Sequence, residues 1–181
     1  MPLPCVNGMQ PKMQPSPRPM ADAAPVRSLL ISAAVGFDAF LFDRAHKFYQ
    51  LDMMGWSGGE FVRVTGFLDY VMVWNRNVSL GILSALPQPL VFVIIGVAFA
   101  SLSWWWLRAD SFLTRIGLAL ALGGALSNIV DRLLYGAVAD FFHLHFGQTS
   151  FFVFNTADAA ITLGAVLLML DVFLPGKVRK V

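Results

Sequence analysis

The sequence predicts an all-α membrane protein: four transmembrane helices in a bundle, with a small extracytoplasmic sheet and a short amphipathic helix beside it. Three observations predict it. Of 181 residues, 57% are hydrophobic and only 13% are charged, with a mean hydropathy of +0.66; soluble domains carry about 25% charged residues. Four stretches approach or reach the roughly 20 apolar residues that a bilayer-crossing helix needs. Basic residues are also spread unevenly among the connections, which sets orientation.

The elements follow in order. Residues 1–25 are proline-rich and poorly patterned, and read as a disordered cytoplasmic tail. The first span takes residues 26–45 and ends in charged FDRAHK, not in a small-residue cleavage site. The second, 88–107, has no charge before Arg108 and follows Pro87. The third, 111–131, closes on Asp131, and the fourth, 154–174, opens with Asp158 near its start. Residues 26–175 form one domain, and 176–181 form a basic tail. Lys and Arg are concentrated in the two tails and the short 108–115 connection. This places both termini in the cytoplasm and the loops 46–88 and 132–153 outside. Trp104, Trp105 and Trp106 then lie at the cytoplasmic interface, where indoles prefer to sit. In the first outer loop, 60–77 is rich in β-formers and partly alternating, and reads as a short sheet. Residues 77–86 read as an amphipathic interfacial helix.

Against this apolar background, SNIVDRLLYGAVADFF (127–142) and FNTADAAITLG (154–164) gather three carboxylates, two amides and a guanidinium. An ionisable group at mid-bilayer costs roughly 2.5–3.5 kcal/mol on insertion scales, so each needs a partner or a task. The topology brings Asp131, Asp140 and Asp158 to one depth near the outer interface. Asn128 shares a helix face with Asp131 and Arg132, and Asn155 stands i, i+3 from Asp158. The adjacent Asp131 and Arg132 read as a structural pair. Asp140 and Asp158, each at a loop or a helix start, can approach each other. Two neighbouring carboxyls share a proton, so one can serve as base to water while the other polarises a carbonyl, which is aspartic-peptidase chemistry.

Other signals are weaker. A net charge of +2 without a basic run gives no nucleic-acid footprint. Cys5, the single cysteine, excludes an internal disulfide. His143-x-His145 lacks a third metal ligand, and no HExxH occurs. Gly123-Gly124 reads as a helix-packing face. Asp38, in the middle of the first span, should face the bundle or a watery cavity. A competing reading uses the same carboxylates as the relay of a small proton- or ion-coupled transporter, but such acids belong near the midplane, often within an inverted repeat. Neither pattern is visible here.

NIVDRLLYGAVADFF followed by FNTADAAITLG resembles the paired signature of the lipoprotein signal peptidases (signal peptidase II), bacterial inner-membrane aspartyl peptidases. The likeness covers about residues 26–175. Asp43-x-x-x-Lys47 resembles the family's first motif, and Asn75 its Asn-x-Gly motif, with Asn77 in place of the glycine. Phe152 stands where the family often has proline. The resemblance implies Asp140 and Asp158 as the catalytic pair, with Asn128, Asp131, Arg132 and Asn155 shaping the site. It implies that Asp43, Lys47 and Asn75 support the outer region or the substrate. It also implies a β-cradle, a mobile periplasmic helix, and a diacylglyceryl-modified prolipoprotein substrate cut just before its lipidated cysteine. No metal or organic cofactor is implied. The partners expected are that substrate and membrane lipids, around a monomer.

Overall fold

The computed structural model describes residues 23–76 and 87–173. The proline-rich tail up to residue 22, the 77–86 segment with Asn77, and the basic 176–181 tail lie outside the described residues. Among the described residues, four long helices carry the chain: α1 (Ala23–Phe48), α2 (Gln88–Arg108), α3 (Phe112–Tyr135) and α4 (Thr156–Phe173). Four strands join them: β1 (Phe61–Arg63), β2 (Leu68–Asn75), β3 (Val138–Phe146) and β4 (Thr149–Phe154). Among the described residues, three helices are long and apolar enough to cross a membrane: α2 from Pro89, α3 and α4. α1 is longer than any of them, at 26 residues, but carries Asp38, Asp43, Arg44 and Lys47.

Local chemistry sets the helix ends. α1 begins three residues earlier than the sequence predicts, with Pro25 in its first turn, where a missing N–H costs nothing. Pro89 occupies the same kind of position in α2. Ser111 caps α3 by accepting the N–H of Thr114. The sequence ends the third span at Asp131, yet α3 runs four residues further, to Tyr135. Arg-Leu-Leu-Tyr keeps the helical turn going, and Gly136 ends it at φ 68°, returning its N–H to the carbonyl of Arg132. Asp131 therefore sits inside a finished helical turn.

α3 is the central helix, packed against α1, α4 and α2. Its adjacent glycines serve different neighbours. A Cβ on Gly123 would run into the backbone oxygen of Gly36 in α1, and one on Gly124 into that of Ala157 in α4. The pair is a packing face, as the sequence predicts, and it brings two helices to backbone contact. At the far end, Asp171 of α4 accepts hydrogen bonds from Ser111 (2.9 Å) and Thr114 (2.5 Å), so α3 and α4 are joined at that end as well.

The sheet is antiparallel throughout, in the order β1-β2-β3-β4. The sequence places its strands in the first outer loop alone, but half of it comes from 138–154, which the sequence leaves as a loop. VADFFHLHF and TSFFVF are β-branched and aromatic; the first becomes a strand by pairing with β2, and the second by pairing with the first. Met72, Ala139 and Phe141 form the buried core under the sheet, with Trp56, Tyr70, Trp74 and Phe142 around it. The sheet is seated on α1 by His46, whose Nε2 lies 2.7 Å from the Tyr70 hydroxyl. Burial pushes the Tyr70 phenol up to about 12, so it stays neutral as the partner of that imidazole.

Candidate active site

The C-terminal end of α1 builds the floor. Asp43, Lys47 and Asp131 are completely buried. Lys47 Nζ lies 2.7 Å from Asp43 Oδ2 and 2.6 Å from Asp131 Oδ2. The other oxygen of Asp131 takes Arg44. Asp43 also accepts from Ser127 Oγ (2.6 Å), from Thr156 Oγ1 (2.5 Å) and from the N–H of Ala157 (2.8 Å). Its charge therefore sits at the N-terminus of α4, where the helix dipole favours an anion. Two acids and two bases balance, which is what allows charged groups to be buried here.

An amide bridge stands on this floor. Lys47 Nζ donates to Asn128 Oδ1 (3.3 Å), and Asn128 Nδ2 donates to Asp158 Oδ1 (2.8 Å). Asn155 Nδ2 lies 2.7 Å from Asp140 Oδ1 and 3.1 Å from Asn128 Oδ1. Asn155 is also the residue before α4. Its Oδ1 accepts the N–H of Asp158 (2.9 Å), while Asp158 Oδ2 accepts the N–H of Asn155 (3.3 Å). These reciprocal bonds make a capping box built from an amide and a carboxylate. From the sheet side, Asn75 Nδ2 donates to Asp140 Oδ2 (2.8 Å). Asp140 pairs directly with Val73, and an irregularity between Tyr70 and Val73 sets the register that leaves Asn75 diagonal to it.

The two carboxyls are thus held at the ends of one hydrogen-bonded chain, Asp140–Asn155–Asn128–Asp158. Asp140 is 1% exposed, whereas Asp158 is only half-buried and can be reached. Burial first, and the nearby Asp158 charge after it, push Asp140 up to about 7, against the pull of the Asn75 and Asn155 amides. Near neutral pH, then, Asp140 can hold or release a proton.

The structure brings together every residue singled out in the sequence at this end of the bundle: Asp43, Lys47, Asn75, Asn128, Asp131, Arg132, Asp140, Asn155 and Asp158. One pairing differs. The sequence joins Asp131 to Arg132, but Asp131 gives its oxygens to Lys47, Arg44 and the N–H of Ala139 (3.2 Å). Neighbours in sequence on a helix point about 100° apart, so Arg132 turns the other way. It donates to the carbonyl of Asn128 (3.2 Å), and the carboxylate that acts on it most strongly is Asp158, then Asp140. Arg44, Ser127 and Thr156 went unnoticed in the sequence. Arg44 carries the one available signal, a base next to an acid at a span end. His143 and His145 lie outside this site, both facing Asp69 across the strands, and His143 Nε2 is 2.8 Å from Ser150 Oγ.

Comparison with known proteins agrees with this architecture. A family described as signal peptidase (SPase) II matches residues 35–174. A lipoprotein signal peptidase of Methylorubrum extorquens (strain PA1) is 47% identical over 116 residues, 62% of this chain and 68% of that protein. Those of Methylobacterium sp. (strain 4-46) and Nitrobacter hamburgensis are each 38% identical, covering 81% and 83% of this chain and 90% and 94% of theirs. Among solved structures, one described as a bacterial membrane enzyme superposes with a TM-score of 0.70 at 24% identity, covering 83% of this chain and 94% of that one, which shows the shared fold. The chain belongs to the signal peptidase II family.

Proposed function

We propose that this chain is an aspartic endopeptidase that removes signal peptides from diacylglyceryl-modified prolipoproteins, cutting on the N-terminal side of the lipidated cysteine, with Asp140 and Asp158 as its catalytic pair. The observation that carries the reading is the chain of amides tying those two carboxyls together at one end of an apolar bundle. A lipidated substrate lies in the bilayer, so its peptidase must present its acids at membrane depth. α1 serves as the fourth span: Asp43 and Lys47 are turned inward, which leaves a largely apolar outer face. On the charge argument both termini are cytoplasmic, and the site lies near the outer face of the bacterial inner membrane.

The pair begins with one proton between its two carboxyls. The ionised member takes a proton from water as the water oxygen attacks the scissile carbonyl, and the protonated member gives its proton to the carbonyl oxygen. The resulting gem-diol collapses, its C–N bond breaks, and the departing amine of the cysteine receives a proton from the carboxyl that took one from water. The proton of the second hydroxyl returns to the other carboxyl. Asn75, Asn128 and Asn155 orient the oxygens. Asp43, Lys47, Asp131 and Arg132 fix the helices that carry them. A proton-coupled transporter finds no support, because the acids gather at one end of the bundle and the family is a peptidase one.

The test is cleavage of a diacylglyceryl-modified prolipoprotein by the purified chain. The parent should release the signal peptide, and Asp140→Asn and Asp158→Asn should each lose at least about 10²–10⁴-fold, the range of acid–base contributions. An inactive parent, or full activity in either variant, refutes the assignment.

A further inference from the structure

Asp38 and His46 are two α1 side chains that the proposed reaction leaves unused. Asp38 is exposed near the middle of the helix and does not face the bundle, contrary to the sequence expectation. His46 is half-buried. It lies between Asp43 and Lys47 in sequence, yet takes no part in the floor, and its ring goes to the sheet instead. Its Nδ1 is buried and has no hydrogen-bond partner among the described residues. A buried nitrogen left unpaired costs stability, so an imidazole here calls for an explanation other than packing.

The contacts of that ring converge on one irregularity. Between the pairs Tyr70–Phe142 and Val73–Asp140, β2 has two residues, Val71 and Met72, where β3 has only Phe141. That is a β-bulge, which re-aims the side chains beyond it. His46 touches three residues around it. Its Nε2 lies 2.7 Å from the Tyr70 hydroxyl, to which Gln50 is also hydrogen-bonded. Its ring stands edge-on to Phe141, with centroids 4.9 Å apart, and nearly parallel to Phe142 at 5.6 Å. Neighbouring side chains on a regular strand point to opposite faces, so a single ring that meets both marks the irregular step. Phe141 and Phe142 are also the two residues that follow Asp140.

Register depends on that step. If β2 slipped by one residue, every side chain beyond the bulge would change face. Asn75 would then turn away from Asp140, whose Oδ2 it now holds at 2.8 Å. We propose that His46 is a positioning residue: through Tyr70 and Phe141 it holds the bulge in place, and so keeps Asp140 in register with Asn75. The same end of α1 brings Asp43 and Lys47 to the floor, so one helix fixes both the floor and the strand above it. This inference rests on the reading of Asp140 as catalytic.

Steady-state cleavage of a diacylglyceryl-modified peptide, measured across pH, tests this. Tyr70→Phe removes one oxygen, and His46→Phe keeps a ring without its nitrogens. Each should lower kcat about tenfold and leave KM within about twofold, as expected for a lost hydrogen bond that acts through position. The double variant should be no slower than the slower single one, because the two residues act as a unit. The alkaline limb of the kcat/KM profile should also move up by about half a pH unit, because a displaced Asn75 amide no longer favours the charged form of Asp140. A smaller folded fraction alone would lower the rate without moving that limb. The inference is overturned if either single variant keeps the parent kcat, if the limb stays in place, if the change is confined to KM, or if the two losses multiply. Failure of the catalytic assignment is read separately, from an inactive parent or a fully active Asp140→Asn, and in that case the positioning role falls with it.

Discussion

Asn155 donates to Asp140 at 2.7 Å from the position immediately before α4, so the start of a membrane helix is tied to the strand that carries a buried carboxyl. One amide thereby sets where both proposed catalytic groups stand, because the same side chain caps the turn containing Asp158.

Replacing Asn155 with alanine should therefore lower kcat more than it raises KM. A hydrogen bond to a charged group is worth about 1.5–3 kcal/mol, so a loss of about 10–100-fold is expected. Steady-state cleavage of a lipidated peptide measures it. A change confined to KM would show that Asn155 contributes to binding alone.

A proton shared by the proposed pair would give the reaction two pH limits. Asp140 titrates near 7, so activity should fall as pH rises through that value and the pair loses its proton. It should fall again in acid, when the second carboxyl is also protonated. A kcat/KM profile flat from pH 4 to 9 contradicts this.

The same group should make the fold pH-sensitive. Between its ordinary value of 3.8 and about 7, the folded chain keeps a proton at Asp140 that the unfolded chain releases. Stability is thus lost as pH rises through that window, with an upper limit on the order of 4 kcal/mol for a shift of about three units. Asp140→Asn removes the titration. Its melting temperature relative to the parent should climb between pH 5 and pH 8 even though it is inactive. A constant difference across that range would mean that burial does not hold the proton.

Lys47→Met should be costly, because it strips the buried Asp43 of its cation and leaves Asp131 with Arg44 alone. Breaking a buried ion pair costs about 3–5 kcal/mol. Unfolding in mixed micelles should show a large drop in midpoint, with activity lost alongside it.

Gly123→Ala should separate α1 from α3, since the added methyl meets the backbone of Gly36. Overpacking of this kind costs typically about 1–3 kcal/mol. Leu122→Ala, one residue away and half-buried, should perturb the α1–α3 contact less.

Much of this was legible in the sequence. Hydropathy located α2, α3 and α4 to within a few residues, and the acids and amides of 127–142 and 154–158 are those found together. The glycine pair was read for what it does. What escaped was whatever depends on partners distant along the chain. Strand β3 joins the sheet by pairing with β2, more than sixty residues earlier, and β4 joins it only through β3. Asp131 was assigned to its neighbour Arg132, because sequence shows adjacency while the helix decides direction. Arg44 and Thr156 meet their acids across 87 and 113 residues.

The sheet has a consequence for biogenesis. Its two halves come from segments separated by the whole α2–α3 hairpin, and Asp43 finds its α4 partners only after 113 further residues have been made. During synthesis, the first strand-bearing segment must wait, half-built, until that hairpin and the second strand-bearing segment have been made. Asp140 and Asp158 therefore come together last, after α1, α2 and α3 have been made, so a chain that stops short of α4 holds only half of the pair.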